Sequence, residues 1–234
     1  LPGWERFRRE VGDDSAARGL FVDIQKAEPA LLREALEDPR GAPERIARRA
    51  RELYQGQRRI DFALQQQVSV DSVAALMFLS ADEDVPPTVE TVSLLQTFAF
   101  QQVFRHAALS GPRKDALKTL LGNWLANTAE QAEACAHVRL ALQYGAPQGL
   151  PVALRIVTQE NPPANQVAYA ILAVGRFGTD KDLAKLEPLL DNTEVFQQQQ
   201  VGGQLRPTQV RDAALAVLIH RAGADPADYA LPQP

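Results

Sequence analysis

One cysteine, one methionine and three histidines in 234 residues leave little material for covalent staples or metal cages. With Cys135 alone, no internal disulfide can form and no cysteine-based zinc cage can be built from this chain. Cys135 falls in the apolar series Ala132, Cys135, Ala136 and reads as a core residue, free cysteines being among the most buried residue types. A basic excess is also missing. Lys and Arg total 25 against 29 Asp and Glu, a net charge of −4, which argues against a general nucleic-acid binder. No apolar run reaches the roughly 18 residues needed to cross a bilayer. The uncharged stretch Thr91 to Phe104 contains serine, threonine and three glutamines, so the segment reads as soluble. The chain opens on Leu1 instead of methionine and is expected to be a piece of a longer or exported protein.

Catalytic signatures are absent as well. There is no G-x-S-x-G, P-loop, H-E-x-x-H or G-x-G-x-x-G pattern. His106, His137 and His220 fall on three separate expected helices without metal-type spacing. Cys135 and His137, two apart, cannot share a helix face, which weakens a Cys/His dyad. Asp82-Glu83-Asp84 lacks the alternating carboxylates and glycine of a calcium loop and reads as a turn at a helix end. No catalytic residue, metal ligand or cofactor is expected.

What is present is a helical pattern. The residues Val167 to Gly178 carry no charge until Arg176, with Val167, Ala170, Ile171, Val174 and Phe177 on one face and Ala168, Leu172 and Ala173 on the other. Such a helix is expected to be covered on every side. Gly178 is its C-cap, and Leu183, Leu186, Leu189 and Leu190 return antiparallel, with Pro188 kinking or shortening that second helix. Val210, Ala213, Leu215, Ala216 and Val217 repeat Val167, Ala170, Leu172, Ala173 and Val174 at an offset of 43, closed by Gly223. A third helix ends similarly at Leu140, Ala141, Leu142 and Gly145. On these residues the stretch from about Thr128 onward resembles the HEAT-like helical-repeat family, and the N-terminal portion Trp4 to Ala27 resembles segments of uncharacterised bacterial helical-repeat proteins. The resemblance implies an armadillo-type, right-handed α-solenoid of antiparallel helix pairs.

Upstream, the punctuation predicts short helices. Trp4 to Val11 ends at Gly12; Asp14 caps a helix bearing Ala17, Leu20, Phe21, Ile24 and Ala27; Pro29 opens another, stopped by Asp38-Pro39. A longer helix runs from Pro43 to about Gln66, bent at Gly56, and Ser69 or Asp71 caps a compact one holding Val73, Leu76, Met77 and Leu79. Thr88 to Leu109 reads as a second all-round apolar helix and the centre of the N-terminal half. Pro112 opens a helix burying Leu117, Leu120, Leu121, Trp124 and Leu125, the next begins near Thr128, and Pro147 and Pro151 start one ending at about Gln159. Tyr229 is expected to pack back as a C-terminal cap.

The expectation is therefore an all-α domain spanning residues 1–234, irregular over 1–127 and repetitive over 128–234, with about eleven or twelve helices. One small β-hairpin is expected near 195–208, centred on Gly202-Gly203; the competing reading is a polar loop, since glutamine favours strands little. By resemblance the function is a non-enzymatic scaffold binding a protein or peptide. The alternative is a HEAT-like enzyme such as a DNA glycosylase or a chromophore lyase. Two features depart from what a core requires. One is the basic strip Arg45, Arg48, Arg49, Arg51, Arg58 and Arg59, either a docking strip or a solvated helix face; the other is the hairpin with Gln198, Gln200, Gly202 and Gly203.

Overall fold

The structure is a computed structural model that describes residues 3–57, 68–82, 86–201 and 204–225. It is mostly helical, with thirteen α-helices and one two-stranded antiparallel sheet among the described residues. The chain divides into two compact units, Leu1–Gln148 and Gly149–Pro234.

The first unit contains α1 (Trp4–Val11), α2 (Ser15–Ala27), α3 (Pro29–Glu37), α4 (Ala42–Gln57), α5 (Val70–Ser80), α6 (Val89–Ala99), α7 (Gln102–Ser110), α8 (Lys114–Asn127) and α9 (Ala134–Tyr144). The expected boundaries hold at the N-terminus. Asp14 accepts the Ala17 N–H at 2.8 Å, Pro29 opens α3, and Asp38 ends it. Helix α4 ends its described run at Gln57; the expected continuation to Gln66 lies outside the described residues.

The centre of this unit is α5, not the stretch after Thr88. Every residue from Ser72 to Ser80 is buried, and α2, α3, α4, α6, α7 and α8 all pack on α5. Ala74 and Ala75 keep it slim, and the buried Ser80 hydroxyl turns back to the Met77 carbonyl at 3.3 Å. Its last turn is fastened by remote side chains. Arg6 of α1 donates to the Phe78 carbonyl at 2.8 Å, pairs with Asp82 at 2.7 Å and Glu10 at 2.6 Å, and lies over the Phe78 ring. Asp82 thus works at a helix end, as the turn reading required, while Glu83 and Asp84 lie outside the described residues. From α8, the Asn127 amide donates to the Ala81 carbonyl and the Asn123 amide to the Glu10 carbonyl.

The expected continuous helix from Thr88 to Leu109 is broken at Phe100-Gln101, where Gln101 is extended with φ −68° and ψ 146°. The Ala99 carbonyl, which an unbroken helix would give to the residue four positions on, instead accepts the buried Tyr144 hydroxyl. Gln101 exchanges two amide hydrogen bonds with Gln57 at 2.8 and 2.9 Å. Burial pushes the Tyr144 phenol up to about 12, against an ordinary value near 10. Tyr144→Phe should cost about 1–3 kcal/mol by leaving the Ala99 carbonyl unsatisfied. The sign of the pH effect follows: Tyr144 contributes fully below pH 10, and the contribution is lost as pH rises through about 12, because the unfolded chain ionises first. Urea titrations of both proteins between pH 9 and 12 should show a steeper alkaline loss in the parent; parallel curves would refute the assignment.

Helix α9 also starts later than expected, at Ala134 and not near Thr128. Thr128 closes α8, its hydroxyl donating to the Trp124 carbonyl at 2.7 Å, and Glu133 caps α9 by accepting the Cys135 and Ala136 N–H groups. That late start turns Cys135 to a half-buried position, and His137 and Val138 take the fully buried ones.

The second unit contains α10 (Leu150–Thr158), α11 (Ala164–Phe177), α12 (Asp180–Leu183), a 3-10 segment Ala184–Asp191, strands β1 (Val195–Val201) and β2 (Gln204–Gln209), and α13 (Val210–Ala222). Helix α11 is its hub, touching α10, α12, α13 and β1. The chain after α12 tightens into 3-10 geometry around Pro188, which has no N–H for an α-helical bond, so the second helix is indeed short. The hairpin forms, pairing Gln198 with Pro207, Gln200 with Leu205 and Val201 with Gln204, with an irregularity between Val195 and Gln197. Gly202, Gly203 and Tyr229 lie outside the described residues. The hairpin is tied down where it meets α13: the Val210 N–H donates to the Glu194 carbonyl at 2.9 Å and the Arg211 N–H to the Asn192 carbonyl at 3.0 Å.

Candidate functional site

The arginine strip lies on α4, and most of its charge is engaged inside the molecule. Arg45 pairs with Asp38 at 2.8 Å and reaches Glu34 at 3.8 Å; its hydrogen bond, with one from the Gly41 N–H, holds the Asp38 carboxyl below the usual range. Arg49 grips Glu28 through Nε and Nη2 at 2.8–3.1 Å and touches Glu52 at 3.2 Å, and the Glu28 bonds raise the guanidinium's own pKa. Glu28 is 6% exposed and sits at the junction of α2 and α3, so this fork-to-carboxylate contact staples α4 to that corner. Arg51 faces Glu90 of α6 at 3.4 Å. Arg48 is exposed and makes no ion pair among the described residues; Arg58 and Arg59 lie outside them. The strip is therefore in good part a set of helix-to-helix ties, which a count of arginines cannot reveal because their acidic partners come from α2, α3 and α6.

On the hairpin, Gln198 and Gln200 are exposed, as is Leu205 on the facing strand at 71%. The three histidines stay apart in kind: His137 is wholly buried in α9, while His106 of α7 and His220 of α13 are exposed.

The expectation that α11 is covered on all sides fails on one flank. Val167, Ala168, Ala170, Ile171, Ala173 and Val174 are buried, yet Leu172 is 48% exposed and Tyr169 37%. Helix α13 packs directly beside α11, and between them runs an open apolar groove of about 400 Å³. Its floor is made of small residues, Gly175, Ala213 and Ala216; Leu172 and Val217 form its sides, and Arg176 and His220 its rim. The floor is low because Gly175 has no Cβ to hold the two helices apart. The groove is hidden in the sequence because Leu172 and Ala216 fit the apolar pattern of a packed second flank. The 43-residue recurrence was the available signal, since equivalent helices that pack side by side leave equivalent flanks open.

Concavities also line the first unit's surface. Trp4, Arg8, Asp13, Arg18, Phe21 and Val22 surround one of about 360 Å³ between α1 and α2. Phe100, Gln102, Arg105, His106, Leu109 and Ser110 surround a more polar one of about 490 Å³ on α7. No helix among the described residues is long and apolar enough to cross a membrane. Compared with protein-family models, curated proteins and solved structures, the chain matches none.

Proposed function

We propose that this chain is a non-enzymatic protein-interaction module: a HEAT-like, right-handed helical-repeat scaffold that binds a protein or peptide partner along the α11/α13 face. The observation that carries the reading is the exposed Leu172 flank over a floor of Gly175, Ala213 and Ala216, an apolar groove open to solvent on the helices that share the 43-residue recurrence. Direct packing of α11 on α13 supports the repeat part of the reading, since stacked repeats bury their equivalent helices against each other. Small floor residues between larger side walls suit a ridge of partner side chains laid into the groove, the recurring helix-in-groove mode. The exposed hairpin, with Gln198, Gln200 and Leu205, adds a second contact surface in the same unit.

The test is a photo-crosslinking capture from host lysate, with the crosslinker placed at position 169 of the intact chain, exposed on the same flank of α11. A discrete protein product is expected. Leu172→Asp and Ala216→Asp, both at exposed positions, should weaken capture at least about tenfold, the loss expected when one leucine can no longer be buried. Arg48→Glu should leave capture intact. Capture indifferent to both groove substitutions would refute the proposal, and dependence on Arg48 would return the partner surface to α4.

A further inference from the structure

We infer that the open cavity bordered by α2, α5, α7 and the start of α8 is a binding site for a small organic amine, with the Asp71 carboxylate as counter-ion to its ammonium group. The cavity measures about 290 Å³, at the small end of ligand pockets. Its apolar wall comes from four elements: Leu20 of α2, Val70 of α5, Ala107 of α7 and Leu117 of α8. Its charged and titratable border consists of Asp23, Asp71, His106 and Arg113.

These polar groups are not equivalent. Arg113 reaches across α2 at Gly19, where a Cβ would stand 2.7 Å from its Nε, and forms an ion pair with Asp23. That pair is closed on itself. Asp71 is half-buried, and its carboxylate has no hydrogen-bond or ion-pair partner among the described residues. Nor is it engaged in capping α5, because Ser69 already does so, its hydroxyl accepting the Asp71 N–H at 3.2 Å. An acidic residue in the first turn of a helix ordinarily has its charge favoured. Here burial wins, and the Asp71 carboxyl is pushed above its usual range.

A half-buried carboxylate beside an apolar wall, with no partner among the described residues, has lost part of its hydration, and an ammonium donor makes that good. With one guanidinium set against two carboxylates, the border favours a cation over an anion, and the wall selects a short apolar body attached to it. The site belongs to the unit Leu1–Gln148 and stands independently of the partner groove on α11 and α13.

The experiment titrates the intact chain with benzylammonium, and in parallel with benzyl alcohol as its uncharged counterpart, following binding by calorimetry and by amide chemical shifts. Benzylammonium is expected to bind at least about tenfold more tightly than the alcohol. Asp71→Asn, nearly isosteric at a half-exposed position, should remove that preference with an unchanged melting curve. Ala107→Met, which fills the cavity from α7, should abolish binding of both. Three results overturn the inference: no benzylammonium binding at millimolar concentration, equal binding of the alcohol, or affinity in Asp71→Asn within twofold of the parent.

Discussion

Phe78→Ala is expected to lower the stability of the unit Leu1–Gln148 by about 3–5 kcal/mol, the range for emptying a buried aromatic site. Phe78 is fully buried on α5, the helix that every neighbour in the unit shares, and its ring meets Phe7 at 5.3 Å and Phe21 at 6.4 Å between centroids, both edge-on. Arg6 lies 4.8 Å above the same ring. Removing the ring leaves a void among side chains that belong to three helices, and none of them can close it without giving up its own packing. Arg6 would keep its hydrogen bond to the Phe78 carbonyl, so the loss measures packing and not the tie. Urea unfolding should show a lower midpoint at constant slope. A loss below about 1 kcal/mol would mean that α5 is not the centre of the unit.

Gly175 gives the second large effect, and there two contributions oppose each other. Glycine inside a helix is worse than alanine by about 1 kcal/mol, so Gly175→Ala would stabilise α11 if the site had room. It has none. A Cβ at position 175 would lie 2.5 Å from Cγ1 and 3.1 Å from Cγ2 of Val217 on α13. Valine is held to one rotamer in a helix and cannot swing aside, so the helices must part, at about 1–3 kcal/mol. Gly175→Ala should therefore be destabilising on balance, and Gly175→Leu more so. The double variant Gly175→Ala with Val217→Ala should recover most of the loss, because it removes the obstacle and keeps the helix-propensity gain. A stabilising single variant, or a double variant that behaves as the sum of its parts, would refute direct α11–α13 contact at this point.

The elements legible in the sequence were those marked by local chemistry. Asp14, Pro29 and Ser69 announce helix starts through side-chain oxygens or a missing N–H, and the structure uses each in that way. The hairpin was announced by a glycine pair between two polar runs. What the pattern could not reveal was set by partners far along the chain. The break at Gln101 depends on Gln57 and Tyr144, more than forty residues to either side, and nothing within Thr88 to Leu109 marks it. The role of α5 was understated because Ser72 and Ser80 look like surface residues until their burial is seen. The arginines of α4 were visible as a cluster, but Glu28, Asp38 and Glu90 belong to other elements, so the engagement of Arg49, Arg45 and Arg51 became apparent only in three dimensions. The flank of α11 was misjudged for the opposite reason: apolar periodicity reports what a helix offers, not which side is left open.

The fastening of α1 carries a consequence for how the chain is made. Its ties run to Phe78, to Asp82 and, through Asn123, back to Glu10, a span of 113 positions. Synthesis delivers α1 before any of the residues that hold it, and the last of these emerges only once α8 has left the ribosome. Until α5 emerges Phe7 has no Phe78 to rest against, and until α8 follows the Glu10 carbonyl has no Asn123, so the nascent α1 is an apolar, unsatisfied segment of the kind that chaperones hold. Such long-range closure also slows refolding of the released chain, because the loop must be gathered before any of these contacts rewards it.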